Sequence, residues 1–193
     1  MLEVTAILAV AALILTSIGL MLNFSWRTNI IILAVQYLAA FFLFTLVFPL
    51  TLAAVKLVVG WMSIAVLGST IPPLEEQDST SINQAGRLFR LMVAVMAVIL
   101  VFSVAPFIIE IVPTGMVIVW GGLILLVMGV LQLGMTTQPA SVVLGLLTVL
   151  SGFDILYASV ETSVMVVGLL ALTTLGLALT GAYLMTSMSP GEE

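Results

Sequence analysis

Apolar positions in this chain run in long continuous blocks, separated by short polar stretches. Several blocks approach or exceed the roughly 20 residues that a helix, rising about 1.5 Å per residue, needs to cross about 30 Å of hydrocarbon. The strands of a membrane barrel would instead alternate apolar and polar residues over about ten positions. The pattern therefore predicts seven helical spans. The first covers about 2–22 and ends at the polar turn NFSWRTN. The second and third share the run from about 28 to 69, too long for one crossing. Pro49 in mid-span would remove a helical hydrogen bond, so a tight turn at VFPLT is expected to divide that run.

The longest polar stretch is STIPPLEEQDSTSINQAGR, residues 69–87. Ser81 and Gln84 have the spacing of a helix-capping pair, so the fourth helix is expected to start near Ile82, bend at Pro106 and end near Val112. The fifth covers about 115–135, TTQPAS turns the chain, the sixth covers about 140–159 and the seventh about 162–187. This divides the chain into an N-terminal three-helix membrane unit (1–70), a polar acidic loop (71–86), a C-terminal four-helix membrane unit (87–187) and an acidic tail (188–193).

Composition excludes most other classes. The chain is 63% hydrophobic and 7% charged, against about 25% charged in an ordinary soluble domain, and could not cover its own surface in water. The expected fold is an all-α polytopic membrane protein in contact with the lipid bilayer. Its first segment opens MLEVTAILAV, with Glu3 where a signal peptide has its basic region, and so reads as a retained helix. There is no Cys and no His, which removes thiolate clusters, haem ligation by His, Cys nucleophiles and the common zinc sites. No metal and no cofactor is expected, and no nucleophile–base pair can be assembled, so the chain reads as a non-enzyme. Four basic residues, one of them inside a span, rule out nucleic acid as a partner.

The positive-inside rule orients the spans. Arg27 follows the first helix, and Arg87 and Arg90 lie just ahead of the apolar part of the fourth. Seven crossings put all three on one side, taken as the cytoplasm of a prokaryotic cytoplasmic membrane, with the N-terminus outside and the C-terminus inside.

The charges inside the spans are the candidate chemistry. Lys56, in TLAAVKLVVGWM, lies about six residues, roughly 9 Å, in from the outer end of the third helix. Asp154, in LSGFDILYAS, lies about five residues, roughly 7 Å, in from the outer end of the sixth. A lone ion at the bilayer centre costs about 2.5–3.5 kcal/mol on insertion scales, and such groups usually face a bundle interior. Two readings of Lys56 stand: an ion partner within the chain or in a neighbouring subunit, or a stem stretched out to the headgroups. Asp154 is too short for the second course, so an interior role is expected. Glu110 and Glu161 lie shallower on the same side, either as interfacial carboxylates or as steps on an ion path. Gln36, near mid-depth of the second helix, is a further path candidate or a hydrogen-bonding residue worth about 0.6 kcal/mol.

Ser141, Gly145, Thr148 and Gly152 form a stripe of small residues along one face of the sixth helix, and Gly122 and Gly129 repeat the spacing on the fifth. Small residues let helix backbones approach closely, and packing drives association in lipid. Asp154 lies on roughly the opposite side of the sixth helix, a face it shares with Leu147, seven residues earlier.

From about Gly115 onward, GGLILLVMGVLQLGMTTQPASVVLGLLTVLSGFDILYASV and MVVGLLALTTLGLALTGAYLM resemble the small K-type (4L-type) membrane subunit of respiratory complex I. The shared features are an apolar helix with a central Gly129, a short turn, a Leu-Gly-Leu-Leu start (Leu144 to Leu147) and a third Gly-rich helix. With RTNIIILAVQYLAAFF and AAVKLVVGWMSIAVL ahead of that unit, the whole chain resembles in layout the seven-helix E-type membrane subunit of formate-hydrogenlyase-type hydrogenases, which ends in a K-like unit. The earlier part of that subunit resembles these two segments, with a lysine in the third helix where Lys56 stands. The resemblance implies a piece of an ion-translocating membrane arm, partnered by other membrane subunits of a larger complex. Where the K-type family carries a carboxylate, this chain has Leu147, and its last helix has no carboxylate after Glu161. Asp154, two turns beyond Leu147, is the acid that remains on that face.

The expected function is a non-catalytic integral subunit of a complex I or hydrogenase-like respiratory assembly, contributing to membrane-arm packing and to proton or ion translocation. The alternatives are a stand-alone small transporter or channel, and a structural accessory subunit of another bioenergetic membrane complex.

Overall fold

The structure, a computed structural model, describes residues 2–22, 25–70, 84–111, 114–161 and 163–187. The carboxylates of the acidic loop, the capping Ser81 and the tail 188–193 lie outside the described residues. Seven helices follow one another: α1 (Leu2–Leu22), α2 (Trp26–Phe44), α3 (Leu50–Gly68), α4 (Gln84–Ile111), α5 (Met116–Gly134), α6 (Pro139–Ala158) and α7 (Val164–Ser187). Each is long and apolar enough to cross a membrane, and there is no strand among the described residues. The fold is all-α.

The turn at Pro49 shows how the chain divides an apolar run. Beyond Phe44 a last irregular turn is held by Val47 and Phe48 amides donating to the Phe44 carbonyl. Pro49 is extended at φ −54° and ψ 147°, and its missing N–H is no loss just ahead of a helix. Its carbonyl accepts from Leu52 and Ala53, which starts α3. Pro139 opens α6 in the same way, at the first turn. Pro106 lies inside α4, which runs on to Ile111. Residues 84–86 belong to α4, so the helix starts ahead of its apolar segment, among polar residues that water can solvate.

The helices do not fall into separate N-terminal and C-terminal bundles. Helices α2, α3, α7 and α6 form a ring of four, each packed on the next, with α3 and α6 at opposite corners. Helix α1 packs on α2, α5 and α4, and α4 touches the rest through α1 and α5. Inside the ring lies one apolar core that includes Leu33, Ile64, Leu67, Leu144, Leu147 and Ala178. A second core, with Leu13, Leu43, Val101, Ile124 and Leu125, joins α1, α2, α4 and α5.

The two ends of the bundle differ. At one, Trp26 Nε1 donates to the Thr70 carbonyl, and Thr70 Oγ1 reaches the Met185 sulfur, tying α2, α3 and α7. At the same end Arg90 donates to the carbonyls of Met21 and Met135. The opposite end carries the exposed carboxylates Glu110 and Glu161. Between them the outer surface is oily: Phe89, Met92, Met96, Ile99 and Phe107 all project from α4. Contiguous apolar surface of this extent marks contact with lipid or another membrane surface.

Candidate functional site: a buried ion pair across the ring

On α3 the positions Lys56, Gly60, Ser63 and Leu67 are all buried. They recur at helical spacing, so one face of α3 looks into the ring. On α6, Asp154 is buried too. The two helices stand at opposite corners, and the four-carbon lysine stem spans the gap. Lys56 Nζ donates to Asp154 Oδ2 at 2.7 Å, with the side chains 5% and 7% exposed. Lys56 therefore reaches inward to a counter-ion rather than outward to the headgroups.

Burial sharpens the electrostatics of this pair. Removing both ions from water carries a desolvation penalty, which their attraction offsets only if the remaining lone pairs find donors. Asp154 Oδ1 has no hydrogen-bond partner among the described residues. One oxygen is matched and the other is free to accept. The buried Tyr37 phenol of α2 lies close enough to interact with the Asp154 charge. Its ring fills the space left by Gly60, one turn along α3 from Lys56. Neither Tyr37 nor Gly60 stands out in the sequence. The signal available was the i, i+4 spacing of Gly60 from Lys56, which marks close backbone approach beside the charge.

The other candidates are placed less centrally. Gln36, next to Tyr37, is 1% exposed, and neither atom of its amide has a hydrogen-bond partner among the described residues. Its expected interhelical bond is not formed there. Glu161 is exposed in the turn between α6 and α7, where its Oε1 accepts the Ser163 amide at 3.0 Å. A crevice lined by Phe48, Lys56, Asp154, Tyr157, Glu161 and Leu170 joins that turn to the pair. It is too narrow for a water molecule in this conformation. Glu110 is exposed near the end of α4, which takes no part in the ring. There is no cluster of metal-ligating side chains among the described residues.

The small residues of α5 and α6 meet each other. A β-carbon on Gly152 would lie 2.5 Å from the Leu126 amide nitrogen and 2.7 Å from the Gly122 carbonyl oxygen. One on Gly129 would lie 2.7 Å from the Val149 nitrogen and 3.0 Å from the Gly145 oxygen. The stripe thus works as an intramolecular seam. Thr148 Oγ1 donates back to the Leu144 carbonyl, which satisfies its hydroxyl within α6, and Ser141 is half-buried at the start of the helix.

Seven apolar spans with a lysine and an aspartate joined inside them define a multi-pass integral membrane protein. Comparison with protein-family models, with curated proteins and with solved structures finds no match to this chain.

Proposed function

We propose that this chain is a non-catalytic membrane subunit of a larger respiratory assembly of the complex I or hydrogenase kind, where it packs against other membrane subunits and its Lys56–Asp154 pair takes part in proton translocation. The observation that carries the reading is the pair itself: an acid and a base buried at equal depth, with Asp154 Oδ1 free to accept. Such a pair changes protonation when its neighbours move, which is how an intramembrane relay passes a proton. The resemblance of the layout to E-type and K-type subunits supports the assembly, and the long apolar outer face of α4 offers surface for a neighbour. In this reading the arginine end faces the cytoplasm.

A second reading, a scaffold subunit without a proton path, is favoured by the apolar packing below the pair, where Leu67, Leu144 and Leu147 are fully buried. One experiment separates the two. The tagged chain is purified in mild detergent with its partners, and proton pumping is measured with Lys56→Ala and Asp154→Ala. Loss of pumping with assembly intact supports the relay. Intact pumping and assembly in both variants leaves the scaffold. A chain that elutes alone, with no stable membrane partners, overturns the assembly itself.

A further inference from the structure

The geometry points to one-sided access in this conformation: the Lys56–Asp154 pair exchanges protons with the aqueous face at the α6–α7 turn, through a crevice with Glu161 at its mouth, and is closed toward the arginine end until its neighbours move. This deepens the reading of the pair as a proton-exchanging site and rests on it.

Three independent observations converge on this. Asp154 lies about one turn from the end of α6 and Glu161 in the turn beyond it, and both line the same crevice with Lys56. On the far side of the pair the ring is filled by Leu33, Leu67, Leu144, Leu147 and Ala178, every one without exposure. The buried hydroxyls Ser63, Thr148 and Thr174 donate to their own helices at Val59, Leu144 and Leu170, and the buried Gln36 amide has no hydrogen-bond partner among the described residues, so none of these groups is bonded to the next. The groups facing Asp154 that can carry or feel charge are Lys56 on α3 and Tyr37 on α2. Tyr157 and Glu161 complete the crevice, while α7 contributes only Val166, Val167 and Leu170.

The proton count closes. A hydronium ion in the bulk water gives its proton to the Glu161 carboxylate and becomes water. It then passes through water admitted as the α7 side chains rotate, and bonds to Asp154 Oδ1. Glu161 is ionised again, and Lys56 has lost its counter-charge.

The absence of cysteine makes the test direct. Single cysteines replace the buried crevice residues Ala158 and Val167, or the core residues Leu67 and Leu147. The full chain in membrane vesicles of each sidedness is treated with membrane-impermeant cationic and anionic methanethiosulfonates. The expected result is labelling of Ala158→Cys and Val167→Cys from the α6–α7 face only, at least roughly tenfold faster than of Leu67→Cys or Leu147→Cys, as thiol reactivity follows access. Adding Glu161→Gln should slow the cationic reagent severalfold and leave the anionic one unchanged or faster. Labelling of the crevice from the arginine end, equal labelling of the core positions, no labelling at either crevice position, or indifference to Glu161→Gln each overturns the proposal. These outcomes are separate from co-purification: a chain that labels as expected but purifies alone keeps the route and loses the assembly.

Discussion

The ring of Tyr37 occupies the space where any other residue at position 60 would place its β-carbon. That atom would collide with Tyr37 Cδ1, Cε1 and Cγ. Gly60 is one turn from Lys56 on the buried face of α3, so this contact sets the approach of α2 to α3 close to the depth of the ion pair. It also fixes the ring of a tyrosine whose phenol lies within electrostatic reach of Asp154. A glycine with no chemistry of its own thereby shapes the surroundings of the only lysine in the chain.

Gly60→Ala should therefore be costly out of proportion to one methyl group. Its neighbour is a buried aromatic ring rather than the tip of a flexible chain, and overpacking of this kind typically costs about 1–3 kcal/mol. Unfolding in detergent micelles should show that loss. In a Tyr37→Ala background the same substitution should be nearly silent, since residues in contact couple. Equal losses in both backgrounds would mean that the ring does not set the helix spacing.

The ion pair should behave non-additively. Removing one partner strands a charge, and in buried pairs this costs about 3–5 kcal/mol. Lys56→Met and Asp154→Leu should each destabilise by that order, whereas the double variant should lose much less than the sum of the two, because no charge is left unpaired. Additive losses in the cycle would show that the two side chains do not depend on one another.

How much of this was legible follows from what each signal encodes. Continuous apolar blocks report span and turn, and Pro49 divides its block where a proline must. Helical rise also put Lys56 and Asp154 at one height. Height is not direction, though: residue spacing within α3 and α6 says nothing about which helices stand between them, so the diagonal across the ring was hidden. The same holds for the α5–α6 seam, whose small positions were readable on each helix while their facing partners were not. Tyr37 is not marked by the sequence, because nothing in the spacing along α2 tells that its ring packs against Gly60 of α3.

Glycines of this chain should divide sharply on substitution. Gly152→Ala and Gly129→Ala drive a methyl into backbone atoms that cannot rotate away, at 2.5 Å and 2.7 Å respectively. Both should separate α5 from α6 and lower stability by about 1–3 kcal/mol. Gly168 and Gly176 on α7 have nothing within 4 Å of the added carbon. There alanine should be neutral or stabilising by about 0.5–1 kcal/mol, the helical preference for alanine over glycine. Thermal unfolding of the four variants in one detergent would test the division, and similar losses at all four positions would contradict it.

Arg90 should prove structural even though its charge reads as a topology signal. Its guanidinium donates to Met21 at 3.1 Å and to Met135 at 3.2 Å, carbonyls in the last turn of α1 and just beyond α5. Carbonyls at a helix end have no amide within the helix to satisfy them, and the end of the helix dipole there favours a cation. One planar fork can serve two such ends at once, which a lysine ammonium on a single stem does poorly. Arg90→Leu should thus destabilise by about 1.5–3 kcal/mol, the range for a hydrogen bond to a charged group, and Arg90→Lys should recover less than half of it. Arg27 gives the control, since it lies at the same end and is exposed. If Arg27→Leu and Arg90→Leu lower stability equally, the loss belongs to charge at that membrane face and not to the tie between α1, α4 and α5.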